Sequence, residues 1–140
     1  MWRVCFLIPT KNEEASVHEI VRSLRGALDP RCFAPPAVIV VDDSVDATRR
    51  LARAAGAEVI VGGGRGLGSA MYDGLKRAAG LPCDFIVTID GDGQADVGEV
   101  PRFLEPLLDD EADLVVASRF LEKGSIKYHY RFINLSLIHI

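Results

Sequence analysis

Asp90 and Asp92 stand one glycine apart at the end of the run Phe85-Ile86-Val87-Thr88-Ile89, and Gly93 and Gln94 follow them. An apolar, β-branched run of this length reads as a buried strand. A strand that ends in two carboxylates delivers both to one edge of a sheet, and in an open α/β sheet ligands bind outside the carboxyl ends of the strands. Glycine on either side of Asp92 lets the backbone bend sharply and come close to a ligand. Two hard oxygen ligands so near each other repel unless a cation joins them, and Mg²⁺ or Mn²⁺ shared with phosphate oxygens suits the pair. An EF-hand calcium loop also begins Asp-x-Asp. Its sixth position, however, would be Ala95 where glycine is needed, and its twelfth Pro101 where glutamate is needed. A plain polar turn after a strand is the remaining alternative, since Asp and Gly are ordinary turn residues.

The elements that must position this pair follow a repeated pattern. Val4 to Ile8 is apolar and Pro9 stops it; Lys11-Asn12-Glu13-Glu14 comes next, then Val17, Ile20, Val21, Leu24 and Leu28 at helical spacing, with Asn12 as the expected cap. His18 falls off that stripe and reads as an exposed helix residue. A second apolar run, Val38 to Val41, ends in Asp42-Asp43. Asp46 can cap a helix through Leu51, Ala54 and Ala55 that Gly56 ends, and Ala57 to Val61 reads as a third strand. The glycine-rich stretch Gly62 to Ser69 leads into a helix around Met71, Leu75 and Ala78. Phosphate can dock on such a turn, but no Lys precedes Ser69 as a Walker A loop requires, and the dinucleotide spacing G-x-G-x-x-G fails because its sixth position falls on Leu67 or Ser69. Val100, Phe103, Leu104, Leu107 and Leu108 make an amphipathic helix that Pro106 should kink or shorten. Leu114 to Ala117 reads as a fifth strand ending in Ser118-Arg119-Phe120. Strands alternating with helices predict a three-layer α/β/α fold with a mostly parallel sheet.

At 140 residues and 49% hydrophobic, the chain is expected to form one soluble domain. A net charge of −4 argues against nucleic-acid partners, and Arg49, Arg50 and Arg53 read as one solvated helix face. Cys5, Cys32 and Cys83 form no CxxC pair and read as free thiols in a reducing compartment. No basic n-region or cleavage site precedes the first apolar run, so no signal peptide is expected. No segment approaches the ~18 apolar residues of a membrane span.

The ordered set of strand ends resembles the family 2 glycosyltransferases, which have the GT-A nucleotide-sugar fold, and among them the dolichol-phosphate mannose synthases and bacterial polyprenyl-phosphate sugar transferases. The pieces are Ile8-Pro9-Thr10-Lys11-Asn12-Glu13, Val41-Asp42-Asp43-Ser44-Val45-Asp46-Ala47-Thr48, Arg65-Gly66-Leu67-Gly68, Asp90-Gly91-Asp92-Gly93-Gln94 and Ala117-Ser118-Arg119-Phe120. The resemblance implies that Pro9, Lys11 and Glu13 line a nucleoside pocket, with Val41, Asp42 and Asp43 beside the base and ribose. It implies that Asp90, Gly91 and Asp92 form a DxD element, Asp90, Asp92 and Gln94 holding Mg²⁺ or Mn²⁺ against the donor diphosphate. Arg119 and Arg131 would meet phosphate, and Asp92 and Arg119 would carry catalysis, by inversion in one displacement.

The implied partners are a nucleotide-diphosphate sugar donor, a polyprenyl phosphate acceptor and, through that acceptor, a membrane surface, with the enzyme peripheral at the cytoplasmic face. Charge favours such an acceptor: a lipid phosphate is already ionised at pH 7 and needs no general base. Past the fifth strand stand one carboxylate, Glu122, and the cations Arg119, Lys123, Lys127 and Arg131. Residues 1–131 are thus expected to form the donor-binding part of a GT-A domain, truncated at its C-terminus. The apolar end, 132–140, where His139 lies, reads as a tail that stops before the acceptor side is complete. A nucleotide-binding module without the acceptor half and a Rossmann-type nicotinamide enzyme are the alternatives.

Overall fold

The computed structural model describes residues 1–117, and the chain divides into two compact units, Met1–Arg102 and Phe103–Ile140. In the first unit the apolar runs become parallel strands. They are β1 (Val4–Thr10), β2 (Ala37–Asp42), β3 (Glu58–Val61) and β4 (Phe85–Thr88), in the order β3-β2-β1-β4. The central strands β1 and β2 are buried along nearly their whole length. Both their faces are covered, which is why they read as continuous apolar runs and not as alternating ones. Register pairs Pro9 with Val41 and Thr10 with Asp42, and Asp42 in turn with Val61, so the carboxyl ends lie along one edge.

The direction of each crossover decides which face its helix covers. The steps from β1 to β2 and from β2 to β3 move the same way across the sheet, so right-handed connections put α1 (Val17–Arg25) and α2 (Thr48–Ala54) together on one face. The return from β3 to β4 passes back beyond β1 and puts α3 (Leu67–Ala79) on the other. Cys5 and Leu7 of β1 and Ile39 and Val41 of β2 accordingly pack with Ala70 and Ala78 of α3. Alternation turns Phe6, Ile8, Val38 and Val40 the opposite way. The three layers expected from sequence are present. The reversal in strand order falls between β1 and β4, where connections leave in opposite directions and an open sheet forms its ligand crevice.

The helix α1 buries Val17, Ile20, Val21 and Leu24, the stripe its spacing predicts. In α3 the buried residues are Ala70, Gly74 and Ala78, while Leu75 is exposed, so the expected stripe of large residues is displaced. The reason is close approach. A Cβ on Gly74 would lie 2.2 Å from Leu7 Cδ1 and 3.0 Å from Val41 Cγ2. The helix backbone rests directly on the sheet, and only small residues fit beneath it.

Two further expectations are corrected. Asn12 does not cap α1, which begins after Ser16; it sits in the left-handed region, at φ 59°. Leu114 to Ala117 forms no strand, and among the described residues the sheet has four. Apolar, β-branched composition marks what a segment would do if paired, and a strand exists only where a neighbour takes its backbone groups. A fourth helix, α4 (Val100–Leu108), ends two residues after Pro106. All three cysteines are free, and burial pushes the Cys5 thiol up to about 11.

Candidate active site

Two loops meet at the crevice. The first leaves β1 through Thr10 and carries Lys11, Asn12 and Glu13; the second leaves β4 and carries Asp90 to Gln94. Ile89 still bonds to β1, its N–H donating to the Leu7 carbonyl at 3.0 Å. Gly91, between the two carboxylates, is buried against the end of β1. A Cβ there would stand 2.7 Å from Thr10 Cγ2 and 3.4 Å from the Pro9 carbonyl oxygen. That absence of a side chain brings the carboxylate-bearing loop onto the first. Asp90, Asp92 and Gln94 themselves are exposed. The Gln94 N–H donates to Asp92 Oδ1 at 2.9 Å, a turn that fixes one oxygen of Asp92. Asp92 also borders an open groove of about 850 Å³ shared with Ser16, Glu19 and Arg22 of the α1 segment.

Glu13, half-buried, belongs electrostatically to the same place. Its carboxyl is raised above the ordinary glutamate value, first by burial and then by the negative charges of Asp92, Asp46 and Asp90. A concentration of acid that lifts a neighbouring pKa is one that a cation would relieve. Among the described residues no three His, Cys, Asp or Glu side chains gather into a metal site by themselves. The protein offers Asp90 and Asp92, with the Gln94 amide, and leaves most of a coordination shell to other oxygens. That donor set fits Mg²⁺ or Mn²⁺ held jointly with a diphosphate, since such ions are commonly bound by one or two carboxylates plus substrate phosphates and water.

The end of β2 behaves differently from expectation. Asp42, expected beside base and ribose, has no exposed surface. Its Oδ1 accepts from the Thr10 hydroxyl at 2.8 Å and the Ser44 hydroxyl at 2.5 Å, and its Oδ2 from Arg49 Nε at 3.1 Å. This carboxylate is spent on holding strand ends together. Val41 is likewise buried, its side chain in the core beneath α3, and only its backbone lies at the edge. Asp43 is the half-buried member of the pair, and its Oδ1 accepts the Gly64 N–H at 2.9 Å, drawing the glycine-rich loop to the same edge. Pro9 is half-buried at the end of β1 and Lys11 is exposed just after it. Arg119 and Arg131 lie outside the described residues.

Three residues that sequence reasoning left without a role, Ser16, Ser44 and Thr48, build the walls of this site together with Asn12, which was expected to cap a helix. Asn12, Ser44 and Thr48 bond the first loop to the segment after β2, and Ser16 bonds α1 to the carboxylate loop. Thr48 also donates to Asp46 Oδ1 at 2.5 Å and, with its N–H at 2.9 Å, holds the Asp46 carboxyl below the usual range. The signal was present in the hydroxyls of Ser44 and Thr48, but Ser, Asp and Thr are also the usual residues of a helix start, which is how the segment read.

Residues 5–136 match the family described as Glycosyl transferase family 2. Glycosyltransferase AglJ of Haloferax volcanii is 33% identical over 120 residues, covering 85% of this chain and 37% of AglJ. The undecaprenyl-phosphate 4-deoxy-4-formamido-L-arabinose transferase of Pseudomonas paraeruginosa is 32% identical over 109 residues, 73% of this chain and 31% of that protein. Among solved structures, glucosyl-3-phosphoglycerate synthase from Mycobacterium tuberculosis, in complex with Mn²⁺, uridine diphosphate and glucosyl-3-phosphoglycerate, is similar with a TM-score of 0.59 and 27% identity. The likeness covers 76% of this chain and 40% of that one. The chain spans less than half the length of each of these relatives.

Proposed function

The chain belongs to glycosyl transferase family 2 and has a GT-A-like fold, and on that premise we propose that it binds a nucleotide-diphosphate sugar and serves its transfer, by inversion, to a polyprenyl phosphate. One observation carries the reading: at the reversal of strand order Gly91 is seated against the end of β1, with Asp90 and Asp92 exposed on either side of it. Lys11 and Glu13, on the first loop, would flank the nucleoside, and Asp43 would face it from its place just after β2. Asp90, Asp92 and Gln94 would hold Mg²⁺ or Mn²⁺, which when bound neutralises charge developing on the departing diphosphate. An acceptor phosphate oxygen forms the new bond to the sugar's C1 as the bond from C1 to the diphosphate breaks. The attacking oxygen is already ionised, so no side chain need remove a proton. Arg119 and Arg131 are assigned to phosphate, Arg119 because a guanidinium can grip two phosphate oxygens at once. A lipid acceptor would place the enzyme peripherally at the cytoplasmic face of a membrane; among the described residues no helix is long and apolar enough to cross one.

The Mn²⁺ and uridine diphosphate of the mycobacterial structure and the undecaprenyl phosphate named for the Pseudomonas relative support the two halves of this reading. The mycobacterial product favours a second acceptor, phosphoglycerate, which is also an anion. Calorimetry with uridine and guanosine diphosphates, with and without Mn²⁺, tests the donor half. The unmodified chain should bind one of them in Mn²⁺, and Asp92→Asn should bind it more weakly in Mn²⁺ while differing little without metal. Equal affinities in Mn²⁺ would remove Asp92 from the metal site. Sugar transfer to polyprenyl phosphate compared with 3-phosphoglycerate then separates the acceptors.

A further inference from the structure

The loop that follows β1 has no secondary structure of its own, yet three successive residues in it are tied to one segment after β2. The Asn12 N–H donates to Ser44 Oγ at 2.7 Å, and the Asn12 side-chain oxygen accepts from the Val45 N–H at 3.1 Å. The Glu13 N–H donates to Thr48 Oγ1 at 2.9 Å, and Glu14 Oε2 accepts from the Ala47 N–H at 3.0 Å. Each hydroxyl in this seam is used twice. The Ser44 hydroxyl in turn donates to buried Asp42, and that of Thr48 donates to Asp46. Two of the bonds run from the loop through hydroxyls to carboxylates, the other two run back from the Val45 and Ala47 N–H groups into the loop, and the Asp42 end is fully buried.

Asn12 is the residue at which this seam depends on side-chain chemistry. Its φ of 59° is one that only glycine and a few short polar residues adopt readily. The same residue satisfies an otherwise open N–H, that of Val45, which no neighbouring strand takes. The turn it makes sets the exits of the side chains on either side of it, Lys11 and Glu13. We infer that Asn12 is a positioning residue: by holding a left-handed turn and clasping Val45, it aims Lys11 and Glu13 at the nucleotide and makes the ends of β1 and β2 a single rigid lip. This rests on the donor reading above. It adds to that reading a residue that touches no ligand and yet governs affinity.

The test compares Asn12→Ala, which loses both the turn preference and the clasp, with Asn12→Gly, which keeps the turn and loses only the clasp. Leu24→Val, in the α1 core, serves as the control for stability alone. Uridine or guanosine diphosphate, whichever the unmodified chain binds in Mn²⁺, is titrated calorimetrically, and amide exchange at Val45 is followed without ligand. Expected are binding roughly tenfold weaker for Asn12→Ala, a smaller loss for Asn12→Gly, and no loss per folded molecule for Leu24→Val. Val45 exchange should quicken in both Asn12 variants. Unchanged affinity in Asn12→Ala, or an equal loss in Leu24→Val, overturns this inference and leaves the donor reading standing. Failure of the unmodified chain to bind any nucleotide diphosphate overturns the donor reading, and with it the positioning role.

Discussion

The Ser16 hydroxyl donates to the Gly91 carbonyl oxygen at 2.6 Å, so the residue before α1 holds the peptide that lies between the two site carboxylates. A single hydrogen bond of this kind is worth about 1 kcal/mol net. Ser16→Ala should therefore lower stability by about 1 kcal/mol and, by freeing the peptide between the carboxylates, weaken metal-dependent nucleotide binding several-fold. Calorimetry in Mn²⁺ alongside urea denaturation checks both. Unchanged binding would mean that the carboxylate loop keeps its shape without α1.

Gly74→Ala sets two effects against each other. Alanine in a helix interior gains about 1 kcal/mol over glycine, whereas overpacking a filled core costs about 1–3 kcal/mol. Leu7, which the new methyl would meet at 2.2 Å, is fully buried and has nowhere to swing. Destabilisation should prevail. An increased denaturation midpoint would show that α3 can lift from the sheet at little cost.

Asp42→Asn should act on stability first. The substitution leaves Arg49 without its carboxylate, and with one acceptor oxygen remaining the amide must turn an N–H toward either Arg49 or the Thr10 and Ser44 hydroxyls. Arg49 is 34% exposed and can turn to water, so the loss belongs near the lower end of the range for broken buried pairs, about 2–3 kcal/mol. A variant as stable as the parent but deficient in nucleotide binding would return Asp42 to the ribose contact expected from sequence.

Glu13 predicts a pH dependence. Its raised folded pKa means that the folded chain takes up the proton more readily than the unfolded one. Ionised Glu13 therefore costs stability at pH 7, and the cost fades as pH falls through the raised pKa toward the ordinary value of 4.5. In metal-free buffer Glu13→Gln should melt above the parent at pH 7, with the gap closing toward pH 4.5. A gap that widens on acidification would reverse the sign of the assignment.

Strands and carboxylates were legible in the sequence because both are local signals. A buried parallel strand such as Val38 to Val41 must be apolar throughout, and Asp-Gly-Asp after such a run has few structural uses. The failures are all tertiary. Nothing in Met71 and Leu75 says that Gly74 must lie on Leu7; that follows from how near α3 comes to the sheet. Asn12 carries the residue type of a helix cap, and only the nearness of Val45 turns it to another use. Asp42 and Asp43 are adjacent and chemically identical. Strand alternation sends one inward to Thr10 and Arg49 and the other to the edge. Leu114 to Ala117 has strand composition, but composition cannot supply the neighbour that a strand requires.

The placement of β4 beside β1 also predicts an order of assembly. β1, α1, β2, α2 and β3 each pack on elements close by in the chain, whereas the Arg3 N–H reaches Asp84 across 81 residues. Closing so long a loop carries an entropic penalty that is recovered only once β4 is seated. The carboxylate loop hangs from that last strand. On refolding, the β1–β3 portion should gain its amide protection before β4 does, and metal-dependent nucleotide binding should appear with the slowest phase, since the site is not complete until its latest strand arrives.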